Sequence, residues 1–237
     1  MKTNIKMKTI GIIGGISPES TVEYYKYTIS TYQEKLNTNE YPNLIINSID
    51  LSKVVNYISS NNFQDLVEYF KIEIDKLKKA EADFGIIAAN TPHIVFDKIQ
   101  ENSSLQLLSI IEATCEKVAK SNVNKVGLFG TKFTMTGDFY QKSLEKRDIR
   151  MFIPEVEEMD VIHSIYMDEL VKAIFLKKSK RMLINIANKM IKKYKIEGLI
   201  LGGTELPLIL KQNDIKNVQL FDTTKIHVEA AIEYAIH

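Results

Sequence analysis

The stretch FGIIAANTPH, residues 84–93, decides the fold. Its first half is apolar, and its second half is a polar tip that contains Asn90, Thr91 and His93, with Pro92 breaking the run. A short apolar run bounded by turn residues is typical of a strand that is buried on both faces of a parallel sheet. The polar tip would then lie beyond the carboxyl end of the strand, where open α/β sheets bind ligands.

A second stretch, EGLILGGTELPL at residues 197–208, has the same design. Its apolar run ends in Thr204 and Glu205, and Pro207 follows. Each half of the chain therefore carries one predicted strand with a polar tip. Because such tips are ligand-binding positions, the pair predicts a single cleft built from both halves.

The start of the chain is also repeated. KTIGIIGGISPESTVEYY at residues 8–25 matches KVGLFGTKFTMTGDFY at residues 125–140 in outline, since each has a leading lysine, an apolar run, a glycine turn and hydroxyl residues. Lys8 and Lys125 are 117 positions apart, and the two polar tips are 114 positions apart. This regular spacing predicts a duplicated α/β half of roughly 110 residues.

Strands alternate with helices in both halves, which predicts parallel sheets. The expected fold class is α/β, with two similar three-layer α/β domains that are related by a pseudo-twofold duplication and have the active-site cleft between them. We expect a first domain over residues 1–105 plus 215–237 and a second over residues 106–214, because the last helix would otherwise lack a sheet. The predicted strands cover residues 8–15, 43–51, 84–89, 104–110, a stretch that begins at 125, 149–153, 198–201 and 217–221. The predicted helices cover residues 18–36, 52–59, 63–80, 93–101, 111–121, 157–175, 179–194 and 223–236.

Composition excludes several classes of protein. The 237 residues are 45% hydrophobic and 26% charged with a net charge of +1, so no strong field favours nucleic acid or an anionic membrane. No apolar run approaches the roughly 18 residues that span a bilayer. Residues 1–15 are basic and then apolar, but the apolar part runs into Gly14-Gly15 and predicts a strand, not a signal peptide. We expect a cytoplasmic protein with neither a nucleic-acid nor a membrane partner.

Metal and disulfide chemistry has little support in the sequence. The single cysteine, Cys115, excludes an intrachain disulfide, and its position in a predicted helix favours a small buried role. The four histidines lack the spacing of a zinc site. His163 is expected on a solvated helix face, whereas His93 and His227 are the two histidines that could reach the cleft. No bound metal is expected.

The predicted strand ends offer neutral donors, hydroxyls and one carboxylate. The turn GIIGGIS, residues 11–17, could hold a phosphate or carboxylate at the following helix, with Ser17 as the N-cap, or could be only a tight turn. It lacks the GxGxxG spacing of a dinucleotide site. Taken singly, each polar tip is more often a cap or a turn. Their recurrence in both halves favours a ligand site for an amino acid or a dicarboxylate.

Five motifs in order resemble the cofactor-independent aspartate/glutamate racemase family over nearly the whole chain. GIIGGISPEST is similar to an N-terminal GG-M-S-x-E-S-T, and AANTPH is similar to C-N-T-x-H. LFGTKFTM is similar to the opening of the second half, LILGGTELPLIL to G-C-T-E, and DTTKIHVEAA to D-T-x-x-H. The resemblance implies two similar α/β domains with the active site between them. It also implies an amino-acid racemase that needs no pyridoxal phosphate, has no cofactor and forms a homodimer.

The family's reaction uses two cysteines, one to remove the α-proton and one to return it. Here Ala89 stands where the first cysteine precedes Asn-Thr, and Gly203 stands where the second precedes Thr-Glu. Neither side chain can carry a proton. The candidate replacements for catalysis are Glu205, Thr91, Thr204 and His93, with His227 as a further proton carrier.

The resemblance carries over most of the substrate-binding residues. Lys172 matches a lysine that helps to bind the side carboxylate in aspartate-specific members, and Lys53 lies near another basic position. Two functions therefore stay open: an isomerase acting on an acidic amino acid or a similar small carboxylate, and a catalytically silent protein that binds such a ligand. A carboxylate lyase or isomerase using Glu205 is a third, less supported reading. The candidate substrate-binding residues are Ile16, Ser17, Lys53, Asn90, Thr91, Thr131, Lys172, Thr204, Glu205 and His227.

Overall fold

The computed structural model describes residues 7–237. The basic segment 1–6 lies outside the described residues, and it contains the start of the predicted first domain and of the stretch that was compared with a signal peptide. The chain divides into two compact units. Unit 1 consists of the chain up to Ile110 together with His227–His237. Unit 2 is Ile111–Ile226. Each unit holds one parallel four-stranded sheet with flanking helices, which confirms the predicted α/β fold with two similar domains.

The sheet of unit 1 has the strand order β2-β1-β3-β4. β1 and β3 lie side by side in the centre, are apolar and are buried along their whole length, as parallel central strands must be. The strands are β1 (Ile10–Gly14), β2 (Leu44–Ser48), β3 (Phe84–Ile87) and β4 (Leu107–Leu108), and the helices are α1 (Pro18–Leu36), α2 (Leu51–Ser59), α3 (Phe63–Lys79), a 3₁₀ turn (Thr91–Val95) and α4 (Phe96–Glu101).

The last helix, α11 (Thr223–Ile236), supplies part of the unit 1 core. Its apolar residues Val228 and Ile232 pack in one cluster with Ile12 and Ile86 of the central strands. Full burial of one such side chain stabilises a fold by about 1.5–3 kcal/mol. This packing explains why the chain returns to unit 1 at its end, as the sequence predicts.

The sheet of unit 2 repeats the same order, β6-β5-β7-β8, with all neighbours parallel. Its central strands β5 and β7 pair in register at Leu128 and Ile200. The strands are β5 (Lys125–Gly130), β6 (Arg150–Phe152), β7 (Gly198–Gly202) and β8 (Gln219–Asp222), and the helices are α5 (Ile110–Ala119), α6 (Lys132–Thr136), α7 (Phe139–Glu145), α8 (Val156–Ser164), α9 (Lys177–Tyr194), α10 (Leu206–Ile209) and a 3₁₀ turn (Gln212–Asp214).

Both predicted domain boundaries fall too early. β4 pairs with β3, which keeps residues 106–110 in unit 1, although the sequence places them in the second domain. β8 pairs with β7, which keeps residues 215–226 in unit 2, although the sequence places them in the first. Ladder hydrogen bonds hold a strand to its sheet, and the apolar pattern of a short strand does not reveal its partner.

The predicted helix over residues 157–175 is not continuous. α8 ends at Ser164, and a π-helical turn over Ile165–Glu169 and a 3₁₀ turn over Leu170–Lys172 follow it. Ala173 then takes a left-handed conformation with φ of 58°. A π turn inserts one residue into a helix and is frequent at functional sites. Helical periodicity alone does not show it.

A search of the described helices finds no segment that is both long and apolar enough to cross a membrane.

Candidate functional site

The turn after β1 depends on a glycine. Gly15 has φ of +79°, and a Cβ built on it would lie 2.3 Å from the carbonyl oxygen of Ile49. The backbone N–H of Gly15 donates to Oγ1 of Thr21, at 2.8 Å. The backbone can therefore pass close to its neighbours only at a residue without a side chain.

Ser17 occupies the N-cap position of α1, but its hydroxyl does not cap the helix. The side chain is 1% exposed, and Oγ has no hydrogen-bond partner among the described residues. The carbonyl of Ser17 instead accepts bonds from the hydroxyls of Ser20 and Thr21, each at 3.0 Å. This finding corrects the expectation that the side chain of Ser17 is a capping group.

The backbone of Ser17 is also strained. Its φ of 88° and ψ of 134° lie in a region that residues with a side chain rarely adopt. Such strain costs about 1–3 kcal/mol and is concentrated at binding and catalytic sites. A strained residue with a buried hydroxyl that no other described group uses is a candidate ligand contact.

The tip of β3 lies at the same sheet edge as this turn. β1 and β3 are hydrogen-bonded neighbours, and the N–H of Ala88 donates to the carbonyl of Ile13 at 2.9 Å. Ala89 and Asn90 follow, at 6% and 3% exposure. Thr91 is half-buried and begins the 3₁₀ turn. Unit 1 thus brings Ser17, Asn90 and Thr91 to the carboxyl ends of its two central strands.

His93 is buried at this edge. Its ring stacks on Phe96 with centroids 4.6 Å apart, and neither ring nitrogen makes a well-formed hydrogen bond within residues 7–237. Desolvation, followed by the field of His227, lowers the pKa of His93 to about 3, which the backbone of Ala89 and Asn90 only partly opposes. The imidazole is therefore neutral at neutral pH and can offer one donor and one acceptor.

His227 is committed to the fold of unit 1. Its Nε2 lies 3.0 Å from the carbonyl oxygen of Leu108, and its Nδ1 lies 2.8 Å from the hydroxyl of Tyr24. Because a carbonyl only accepts, Nε2 carries the proton, and burial lowers the pKa of His227 to about 4, so Nδ1 accepts from Tyr24. Both nitrogens of His227 are engaged in these bonds, and its role in substrate binding or proton transfer stays a prediction.

In unit 2, Thr131 follows β5 and caps α6. Its Oγ1 accepts the N–H of Thr134 at 3.2 Å and contacts the hydroxyl of Thr134 at 3.1 Å. The simple cap that the sequence leaves open as an alternative is therefore present at Thr131. His163 lies nearby, where its Nδ1 accepts the N–H of Lys132 at 3.2 Å. His163 is half-buried and not on a fully solvated face, because this bond draws the ring toward α6.

The tip of β7 holds a buried carboxylate. Glu205 is 0% exposed, and its Oε2 accepts bonds from the hydroxyls of Tyr166 and Thr204, the latter at 3.0 Å. Burial, and then the charge of Glu205, raises the pKa of Tyr166 well above its usual value. The phenol therefore stays protonated and is the donor in this pair.

Tyr166 fills the space beside Gly203. A Cβ built on Gly203 would lie 2.3 Å from Cε2 of Tyr166 and 3.0 Å from its Cζ. Tyr166 is not among the residues that the sequence singles out. Its position within a long predicted helix gives no signal, since the contact with Gly203 and Glu205 exists only in the folded chain.

The remaining predicted residues are either exposed lysines or buried residues that contribute packing. Lys53 is exposed on α2, with its ammonium 5.6 Å from the ring centroid of Tyr69. Lys172 is exposed at the end of the 3₁₀ turn, and Ile16 is buried at 7% exposure. Cys115 is fully buried, and burial raises the pKa of its thiol to about 12, in agreement with the expected packing role. Within residues 7–237, no group of three or more His, Cys, Asp or Glu side chains could hold a metal ion.

Comparison with known proteins gives consistent matches. A family model described as Asp/Glu/hydantoin racemase matches residues 13–231. A structure of an aspartate racemase homologue from Pyrococcus horikoshii is 39% identical, covers 98% of this chain and 100% of that one, and has a TM-score of 0.80. The aspartate racemase of Picrophilus torridus, at 23% identity, shares the fold with a TM-score of 0.78 over 96% of this chain and 94% of its own.

A further relative matches over a shorter part of the chain. The broad specificity amino-acid racemase RacX of Bacillus subtilis is 31% identical over 143 residues, which are 57% of this chain. The matched segment spans 60% of the length of that protein.

Proposed function

The chain belongs to the Asp/Glu/hydantoin racemase family, and from this premise we propose that it is an isomerase that removes and returns the α-proton of an acidic amino acid or a similar small carboxylate. The family, the fold and the amino-acid racemases among its relatives support this reaction class.

The hydroxyl of Ser17 is the observation that carries the proposal. It is buried, strained in its backbone and without a hydrogen-bond partner among the described residues, at the first turn of a 19-residue helix. Leaving such a group unsatisfied costs about 1–3 kcal/mol, so a bound acceptor would recover that energy. The helix N-terminus favours an anion, and a ligand carboxylate fits both features.

The candidate proton carriers in this proposal are Glu205 and His93. General acid–base groups in this role accelerate proton transfer by about 10²–10⁴-fold. Thr91 and Thr204 are weaker candidates, because an unassisted hydroxyl is a poor base at neutral pH. Asn90, Thr91, Thr131 and Thr204 would bind and orient the ligand, with Lys53 and Lys172 as contacts for a side carboxylate.

The proposed reaction is independent of pyridoxal phosphate and of metal ions. The family resemblance supports that reading, and it also supports a cytoplasmic homodimer. These properties are part of the proposal together with the choice of substrate.

A catalytically silent binding protein is the second candidate. The observation that favours it is the pair Ala89 and Gly203, since neither residue can carry a proton at the positions where the resemblance expects cysteine. Such a protein would sense or sequester the ligand that the enzyme would otherwise convert.

Two measurements on the full chain separate these candidates. Calorimetric titration with aspartate, glutamate and succinate tests ligand binding, which both candidates require. Exchange of the α-proton in D₂O, followed by NMR, is expected only for the enzyme. Absence of binding at millimolar concentrations of every ligand would overturn both.

A further inference from the structure

We propose that Tyr166 is a positioning residue that takes up the place of the missing side chain at position 203 and holds Glu205 in a fixed orientation for proton transfer. This inference rests on the proposed function, in which Glu205 is a proton carrier. It assigns a role to a residue that no sequence motif contains.

The first argument is steric. The three atoms nearest to a Cβ built on Gly203 all belong to the ring of Tyr166, at 2.3, 3.0 and 3.1 Å. A contact below 3.0 Å is closer than real Cβ atoms approach, so any side chain at 203 would displace the ring. Glycine at position 203 and tyrosine at position 166 are therefore a matched pair.

The second argument is electrostatic. Glu205 is fully buried, and burial of a carboxylate without donors costs several kcal/mol. Oε2 of Glu205 receives one hydrogen bond from Tyr166 and one from Thr204. Hydrogen bonds to a charged group contribute about 1.5–3 kcal/mol each. The phenol thus helps to keep Glu205 ionised, as a base must be, and limits its rotation.

The third argument is the local backbone. Tyr166 lies in the π-helical turn Ile165–Glu169, directly after α8 ends. The inserted residue changes the direction of the following side chains relative to a regular helix. Ile165 and Tyr166 are both buried, at 5% and 8% exposure. Tyr166 therefore lies in the interior at a point where the backbone departs from regular α-helical geometry.

The proton step follows from this arrangement. The ionised carboxylate of Glu205 takes the α-proton of the ligand, the electron pair of the broken C–H bond stays on the α-carbon, and the carboxyl becomes neutral. Return of a proton from Glu205 to the α-carbon regenerates the carboxylate and gives exchange without inversion. Inversion requires that a second donor, for which His93 is the candidate, protonates the opposite face of the α-carbon; the proton left on Glu205 then passes through solvent to that donor. Tyr166 stays protonated throughout, since it donates to Glu205 and does not exchange its proton with the ligand.

The test compares Tyr166→Phe with Tyr140→Phe in the full chain. Both tyrosines are buried in unit 2, and Tyr140 lies on α7 outside the site. The ¹³C signal of the Glu205 carboxyl, assigned with Glu205→Gln, is followed against pH without ligand. In Tyr166→Phe the midpoint should move upward by about one pH unit, because a donor to the ionised form is lost. In Tyr140→Phe it should stay unchanged.

The kinetic readout uses the same variants. Tyr166→Phe should lower the α-proton exchange rate by about tenfold and leave ligand affinity within about twofold. An unchanged carboxyl midpoint and an unchanged exchange rate in Tyr166→Phe would overturn the inference. If wild type binds ligand but shows no exchange, the carboxyl midpoint still decides the positioning role, whereas the proposed reaction fails separately.

A second variant covers the case in which Tyr166→Phe does not fold. In Glu205→Gln the negative charge next to the phenol is removed, so the ¹³Cζ titration of Tyr166 should move to lower pH. No movement of that signal would also count against the coupling of the two groups.

Discussion

The phenol of Tyr166 donates a buried hydrogen bond to the carboxylate of Glu205, although the two residues are 39 positions apart in the chain. The same ring occupies the space that a side chain at Gly203 would need. The polar tip of unit 2 is therefore organised around a carboxylate and a phenol.

Replacement of Ser17 by alanine should weaken ligand binding and leave the fold intact. A lost hydrogen bond to a carboxylate is worth about 1.5–3 kcal/mol, which corresponds to about a 10- to 150-fold weaker affinity. Stability should change little, because the hydroxyl has no partner among the described residues. Calorimetry and thermal unfolding measure the two effects.

Ser20→Ala is the matched control for that experiment. Its buried hydroxyl donates to the carbonyl of Ser17, so its loss should reduce stability by about 1 kcal/mol with a smaller effect on affinity. Equal loss of affinity in both variants would contradict a direct contact of Ser17 with the ligand.

Introduction of a side chain at Gly203 should destabilise unit 2 through Tyr166. Gly203→Ala should lower the free energy of unfolding by about 1–3 kcal/mol, because extra methyl groups overpack a well-packed interior. In a Tyr166→Ala background the same methyl group should lower the free energy of unfolding much less, because the ring that it would collide with is gone. Denaturant unfolding of the four proteins in this double-mutant cycle measures the coupling, and additive effects would show that the ring and position 203 do not compete for space.

Stability should fall as the pH drops below about 6.5, and the two buried histidines should contribute to the fall. The pKa values of His227 and His93 are about 4 and about 3, below the usual value of 6.5. The unfolded chain therefore binds protons that the folded chain does not, which costs about 1.4 kcal/mol per pH unit for each histidine until the folded pKa is reached. No contribution from these groups is expected above pH 7.

Urea unfolding between pH 7.5 and 5 measures this slope. His93→Phe should have a flatter profile than wild type, because one titrating group is gone and the aromatic packing on Phe96 is kept. A profile of His93→Phe that is parallel to that of wild type would mean that His93 is not held neutral by the fold.

Cys115 should be chemically inert in the native protein. Burial raises the pKa of its thiol to about 12, so little thiolate forms at neutral pH. A thiol reagent such as DTNB should react only after denaturation, and Cys115→Ala should keep wild-type ligand exchange. Rapid labelling of the native protein, or loss of exchange in Cys115→Ala, would contradict this expectation and make the thiol a catalytic candidate.

The sequence predicts most of the fold because each local signal agrees with the packing. Pro18 begins α1 and Leu36 ends it where the helical pattern places them. The apolar run before Asn90 is a buried central strand. The sheet partner of a two-residue strand such as β4 is decided by contacts distant in sequence, so the domain boundaries were misplaced.

The candidate site is predictable only in outline. The motifs locate Ser17, Asn90 and Glu205 at strand ends, but they do not show how the side chains are engaged. The hydroxyl of Ser17, which has no hydrogen-bond partner within residues 7–237, depends on tertiary neighbours. So do the two bonds of His227 and the contact between Tyr166 and Gly203. Helical periodicity does not single out Tyr166, because the hydrogen bonds of a π turn span only one residue more than those of an α-helix and leave no clear sign in the sequence.

The most direct test of the proposed reaction is exchange of the substrate α-proton with solvent. The purified protein is incubated in D₂O with each enantiomer of aspartate and glutamate, and the α-proton signal is followed by NMR together with chiral chromatography. The account predicts loss of the α-proton signal and appearance of the opposite enantiomer, with loss of both effects in Glu205→Gln. A folded protein that binds these amino acids and shows no exchange over days would contradict it and identify a silent binding protein.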